Sequence, residues 1–98
     1  MNLPVILRRM AQAEFDDAAD WYEGQRVGQG AAFTAAVRKV LMNIGARPES
    51  HPEVYDDVRE ALVSRYPYAV YYRPGPGQVT VLAVFHTARD PADWQRRA

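Results

Sequence analysis

The 98-residue chain predicts an α+β fold in the order β-α-α-β-β-β: a small, mostly antiparallel sheet packed against an N-terminal antiparallel helical hairpin, with a short C-terminal helix. Three observations lead there. Apolar residues between Phe15 and Ile44 recur at helical spacing in two successive blocks. Those from Val58 to His86 run instead in strand-length stretches, and the connections between these stretches are tight. A helical hairpin followed by such a meander buries its stripes against the sheet, so residues 1–98 form a single domain.

Leu3 to Arg8 is short and rich in apolar residues, and reads as a first strand whose Pro4 suits an edge or a strand start. From Ala11 the period changes. Phe15, Ala18, Ala19 and Tyr22 fall at i, i+3, i+4 and i+7, which predicts an amphipathic helix ending near Gly24 to Gly28. Gly28-Gln29-Gly30 is a turn, after which Phe33, Val37, Val40, Leu41 and Ile44 repeat the stripe until Gly45 and Pro48 stop it. Two such helices joined by a few residues pack antiparallel.

Arg47 to Asp57 reads as a loop. Val58 to Arg65 then alternates, placing Arg59 and Arg65 on one strand face. Tyr68 to Arg73 is a strand rich in tyrosine and valine, and Pro74-Gly75-Pro76-Gly77 turns the chain into Val79 to His86, a near-continuous apolar run expected of a central strand. Asp90 as N-cap and Pro91 at N1 open the final helix. Asp90 is also placed to hold Arg89 in an ion pair.

Composition narrows the function classes. Hydrophobic residues are 48% and charged residues 24%, as in ordinary globular domains, and the length excludes a two-domain enzyme with its own cofactor lobe. There is no cysteine, hence no disulfide and no thiolate metal site, and no apolar run of membrane-spanning length or signal-peptide pattern. A cytoplasmic protein without cofactor, metal or membrane partner is the expectation. The net charge of zero hides an uneven distribution. Glu14, Asp16, Asp17, Asp20 and Glu23 cluster on the first helix, where they read as a solvated face. Arg59, Arg65, Arg73, Arg89, Arg96 and Arg97 crowd the second half, and Lys39 is the only lysine in the chain. Arginine suits bidentate contact with carboxylate or phosphate, although a GC-rich genome enriches it equally.

His51 and His86 have no companion at metal-ligand spacing. His51, in a Pro-rich loop, reads as a surface histidine, while His86 ends a buried strand and reads as a structural one within reach of proton-transfer chemistry. No Gly-rich phosphate loop follows a strand. What is left is a surface of arginines and tyrosines that suits an anionic or helical partner.

The segments AEFDDAADWYEGQRVGQGAAF, VREALVSRYPYAVYYR and VLAVFHTARDP, in this order and spacing, resemble the RelE/ParE superfamily of bacterial toxin-antitoxin systems, on the ParE-like, plasmid-stabilisation side. The resemblance implies a toxin neutralised by a ParD-like antitoxin whose C-terminal segment lies along hairpin and sheet, with Trp21, Tyr22, Arg59 and Arg65 as expected antitoxin contacts. ParE-like members act on DNA gyrase, and Arg89, Trp94, Arg96 and Arg97 are the expected target contacts. RelE-like members cut messenger RNA on the ribosome with basic residues and often a tyrosine or histidine. Here Glu60 and Leu62 stand where those nucleases place lysines, Ala69 follows Tyr68 where a basic residue is common, and Trp94, which has no hydroxyl to act as a base, is nearest to the C-terminal tyrosine. Arg89 alone matches. A gyrase inhibitor without hydrolytic chemistry is therefore the leading expectation. The alternatives are a ribosome-dependent endoribonuclease, with Arg65, Tyr68, Arg73, His86 and Arg89 as candidates, or a non-toxic antitoxin-binding relative.

Overall fold

The computed structural model describes residues 2–98. Its elements are β1 (Val5–Leu7), α1 (Arg9–Gln25), α2 (Gln29–Ala46), β2 (Glu53–Tyr55), β3 (Val58–Leu62), β4 (Tyr68–Pro74), β5 (Val79–His86) and α3 (Ala92–Gln95). They form one sheet in the order β1-β5-β4-β3-β2, antiparallel except where β1 runs parallel to β5 with Val5 opposite Val79. The parallel pair follows from the hairpin, which carries the chain back across the sheet before β5 is laid down. No helix among the described residues is long and apolar enough to cross a membrane.

The α1–α2 corner is set by two glycines and one carboxylate. Gly28 sits at φ 91°, a left-handed conformation that costs glycine little. A Cβ on Gly30 would lie 2.8 Å from the Ala19 carbonyl oxygen, so the two helices approach more closely there than any side chain allows. Glu23 accepts from the Gly28 amide at 3.0 Å and the Gly30 amide at 2.9 Å, capping α2 from the last turn of α1. It is thus an anchor of the corner while remaining on the exposed face of α1.

The main core lies between hairpin and sheet, with Phe15, Phe33, Val37 and Ile44 meeting Val70, Tyr72, Val79 and Val81. A second, smaller core covers the opposite sheet face: Val58, Ala69, Tyr71, Leu82, Ala83 and Phe85 beneath Trp94 of α3. A bulge reconciles the two. Tyr71 pairs with Ala83 but Tyr72 with Val81, so Leu82 is extra and the alternation of β5 shifts by one residue. Both faces of β5 are covered, which explains its near-continuous apolar sequence.

Four expectations are corrected. The segment read as a loop contains β2, whose three residues are all exposed and carry no apolar pattern. β3 ends at Leu62 rather than Arg65. Arg65 has φ 73° in the turn that brings Val63 N–H to the Tyr68 carbonyl, so it does not share a strand face with Arg59. The last helix begins at Ala92, although Asp90 does cap it, its carboxylate accepting from the Ala92 amide at 3.0 Å. Finally, Arg89 pairs with Glu14 and Asp93, not with Asp90.

Candidate functional site

The residues singled out by sequence fall in three places. At the C-terminal end, Arg89 leaves β5 with its guanidinium 4.1 Å above the Phe85 ring. It donates to Glu14 at 3.1 Å and reaches Asp93 at 3.5 Å, yet its side chain is 46% exposed. Arg96 lies further out and pairs with Asp93 one helical turn back. Trp94 is different. It is 2% exposed and stacks on Tyr71 with centroids 4.0 Å apart, because α3 turns its single large apolar side chain onto the second core. Arg97 is mostly covered, its side chain 11% exposed, and donates to both Glu14 oxygens at 2.9 and 2.8 Å and to the Leu82 carbonyl at 3.1 Å. Of the four expected target contacts, Arg89 and Arg96 reach solvent, whereas Trp94 and Arg97 fasten the tail to the body.

The residues expected to meet an antitoxin are also split. Trp21 on α1 is 59% exposed and leans edge-on against Tyr22, whose ring stacks on Phe33 at 4.9 Å. Burial, and then the neighbouring Tyr66, push the Tyr22 hydroxyl above its ordinary range, so it stays protonated. Arg59 is occupied: it donates to the carbonyls of His51 (2.6 Å) and Glu49 (3.2 Å) and lies 3.8 Å from Glu53, stapling the segment before β2. Arg65 lines a groove of about 550 Å³ between α2 and the β3–β4 turn, with Lys39, Asn43, His51, Leu62 and Tyr66. No carboxylate lines that groove, and neither Lys39 nor Arg65 forms an ion pair among the described residues. Arg65 holds a positive φ beside this groove, a conformation that costs a non-glycine residue about 1 kcal/mol or more.

His51 is not the free surface histidine its sequence context implies. Its Nδ1 lies 3.2 Å from the Tyr72 hydroxyl, which itself donates to Pro48 O, and 3.3 Å from the Ser50 hydroxyl, which donates to Arg47 O. Both hydroxyl protons are spent, so Nδ1 must be the donor. Burial first, and then Arg59, hold the His51 pKa below its ordinary 6.5. A depressed histidine pKa means the unfolded chain takes up protons first. The stability tied to neutral His51 is therefore present above pH 6.5 and lost as pH falls through the lower folded value. Thermal melts between pH 8 and pH 5 should show a falling Tm, and His51→Gln should flatten that slope; an unchanged slope would remove His51 from the acid response.

The nuclease candidates divide: Tyr68, His86 and Arg89 come together, whereas Arg65 and Arg73 lie elsewhere. Tyr68 and His86 meet edge-on at 5.1 Å and share a shallow hollow of about 260 Å³ with Arg89, but Glu14 and Asp17 line it too. His86 accepts the Ala88 amide on Nδ1 at 3.0 Å, which places its ring proton on Nε2. Burial, followed by Tyr22, raises the Tyr68 pKa, the wrong direction for a base. Arg65 lies in the α2 groove, and Arg73 is bound to Asp57 at 2.8 Å, roughly 16 Å along β4 from Tyr68. On the sheet face beneath α3, Glu60 accepts the Tyr71 hydroxyl at 2.7 Å, and burial together with this carboxylate drives the Tyr71 pKa strongly upward.

Fold and site together define a small α+β protein with one mixed sheet, a basic groove beside α2 and an arginine-bearing C-terminal tail. The family described as the ParE toxin of the type II toxin-antitoxin system, parDE, matches residues 5–91, and the chain belongs to that family. Among solved structures, a chain of the chromosomal ParDE TA system from P. aeruginosa has the same fold: TM-score 0.76 at 15% identity, over 86% of this chain and 95% of that one. No curated protein matches the sequence.

Proposed function

We propose that this protein arrests bacterial growth by binding DNA gyrase through Arg89 and its flanking tail, without hydrolytic chemistry, until an antitoxin sequesters it. The observation that carries the reading is Glu60. A ribonuclease of this fold needs cationic groups on the sheet face to hold the scissile phosphate. Here that face presents a carboxylate bonded to Tyr71 under a tryptophan lid, and the exposed cation at its rim, Arg89 over Phe85, is already paired with Glu14 and Asp93. The carboxylate of Asp17, which lines the hollow of His86 and Tyr68, repels phosphate in the same way.

The antitoxin segment that fits is acidic and amphipathic: its apolar side would cover Leu62 and Tyr66, and its carboxylates would meet Lys39 and Arg65. That match concerns the α2 side of the molecule, whereas Arg89 lies at the α1 and β5 side.

The test is a short pulse of induced expression with DNA and protein synthesis followed separately by label incorporation. DNA synthesis is expected to fail first. Protein synthesis failing first, or new cuts in messenger on purified ribosomes, would reject the gyrase reading in favour of ribosome-dependent cleavage.

A further inference from the structure

Glu14 was one of several acids assigned to a solvated helix face, yet its side chain is only 15% exposed and every interaction it makes is long-range. Its Oε1 accepts from Arg97 at 2.9 Å and from the Val84 amide at 3.2 Å; its Oε2 accepts from Arg97 at 2.8 Å and from Arg89 at 3.1 Å. These partners lie 70 to 83 residues away in the chain. The Val84 amide is a donor beyond the last β1 pairing, at Val81, so Glu14 satisfies a strand edge that β1 leaves open. The tail is closed from the other side by Arg8, which donates to the Arg97 carbonyl at 2.8 Å. One carboxylate therefore ties α1, β5 and the C-terminal tail together.

We propose that Glu14 is a positioning residue that presents Arg89 to the target, with Arg97 as the counter-clamp that holds Glu14 in place. This rests on the reading that Arg89 meets the target. Arg89 is a flexible side chain fixed by Glu14, Asp93 and the Phe85 ring, with close to half its surface left open. Arg97 is half-buried beside it, at 5.8 Å from the same ring. Without the carboxylate the two guanidiniums near one ring repel, and the more exposed one moves. Presenting a pre-ordered guanidinium lowers the entropy lost on binding.

Growth arrest is titrated against the amount of toxin made for wild type, Glu14→Gln, Arg89→Ala and the double variant, with the Tm of each purified protein. Glu14→Gln should raise the amount needed for arrest roughly tenfold, the change that about 1.4 kcal/mol of lost binding gives. The double variant should be no worse than Arg89→Ala alone, because Glu14 acts through Arg89. Losses that add in the double variant would mean that Glu14 only stabilises the fold, and would overturn the proposal. Arg89→Ala remaining fully active would overturn the target reading and this inference together. An inactive Arg89→Ala beside a fully active Glu14→Gln would overturn this inference alone. Should Glu14→Gln not fold, Arg89→Lys decides: an ammonium keeps the charge but cannot span Glu14 and Asp93 as the planar fork does, so it should lose activity as Arg89→Ala does. Full activity of Arg89→Lys would show that charge without positioning suffices.

Discussion

Phe33→Ala is expected to cost about 3–5 kcal/mol of folding stability, the range for emptying a buried aromatic site. Phe33 is fully buried and is the hub of the cluster that joins hairpin to sheet: its ring lies 4.9 Å from Tyr22, 5.1 Å from Tyr66 and Tyr68, and 6.2 Å from Phe15. The tyrosines on three sides are anchored to different elements, so the gap cannot close by a shift of one of them. A domain of this size has a total stability of about 5–15 kcal/mol, and the variant would keep a fraction of it. Urea denaturation reads the change through the midpoint, and Trp21→Ala is the control, since its exposed indole should change stability by no more than about 0.5 kcal/mol. A Phe33→Ala loss below about 1 kcal/mol would mean that the sheet, not this cluster, holds the hairpin.

The same cluster explains why the fold was legible in the sequence. Phe33, Val37, Val40 and Ile44 carry a long helical period, and β5 is long and apolar because both its faces are covered. Long elements with one buried surface write that surface into the spacing of their residues. Short ones do not. β2 has three exposed residues, so nothing in Glu53-Val54-Tyr55 separates it from a loop. The alternation of β3 runs on through Val63, which is buried, and Ser64 into Arg65, and only the φ of Arg65 shows where the strand ends.

The site was less legible because its contacts are long-range. Glu14 differs in no local way from Asp16 or Asp17, and its role is decided by arginines 75 and 83 residues later. Trp94 belongs to a four-residue helix, too short for a period to reveal which side is buried. Arg97 reads as a target contact for the same reason, since nothing local shows that its guanidinium meets Glu14. One signal was available: Glu14 is the first carboxylate of α1 and lies one position before Phe15 on the core stripe, so a half-buried carboxylate with distant partners was a possible reading of its place.

Arg89→Ala should weaken target engagement about 30-fold while leaving the fold and antitoxin binding unchanged. The magnitude follows from truncating an interface arginine, which costs about 2 kcal/mol or more where it is a hot spot, each 1.4 kcal/mol being tenfold. The fold should tolerate the change. The Arg89 side chain is half-exposed, so its ion pairs are screened by solvent, and Arg97 remains to neutralise Glu14. Antitoxin binding should be spared because the groove of Lys39, Arg65 and Leu62 is built on α2 and the β3–β4 turn and does not include Arg89. The measurement pairs the toxin dose needed for growth arrest with co-purification of a co-expressed antitoxin. Loss of both activities together would place the two partners on one surface; retained arrest would free the tail from any role in toxicity. Loss of arrest with the antitoxin still bound would separate a target-facing surface around Arg89 from an antitoxin-facing groove between α2 and the β3–β4 turn.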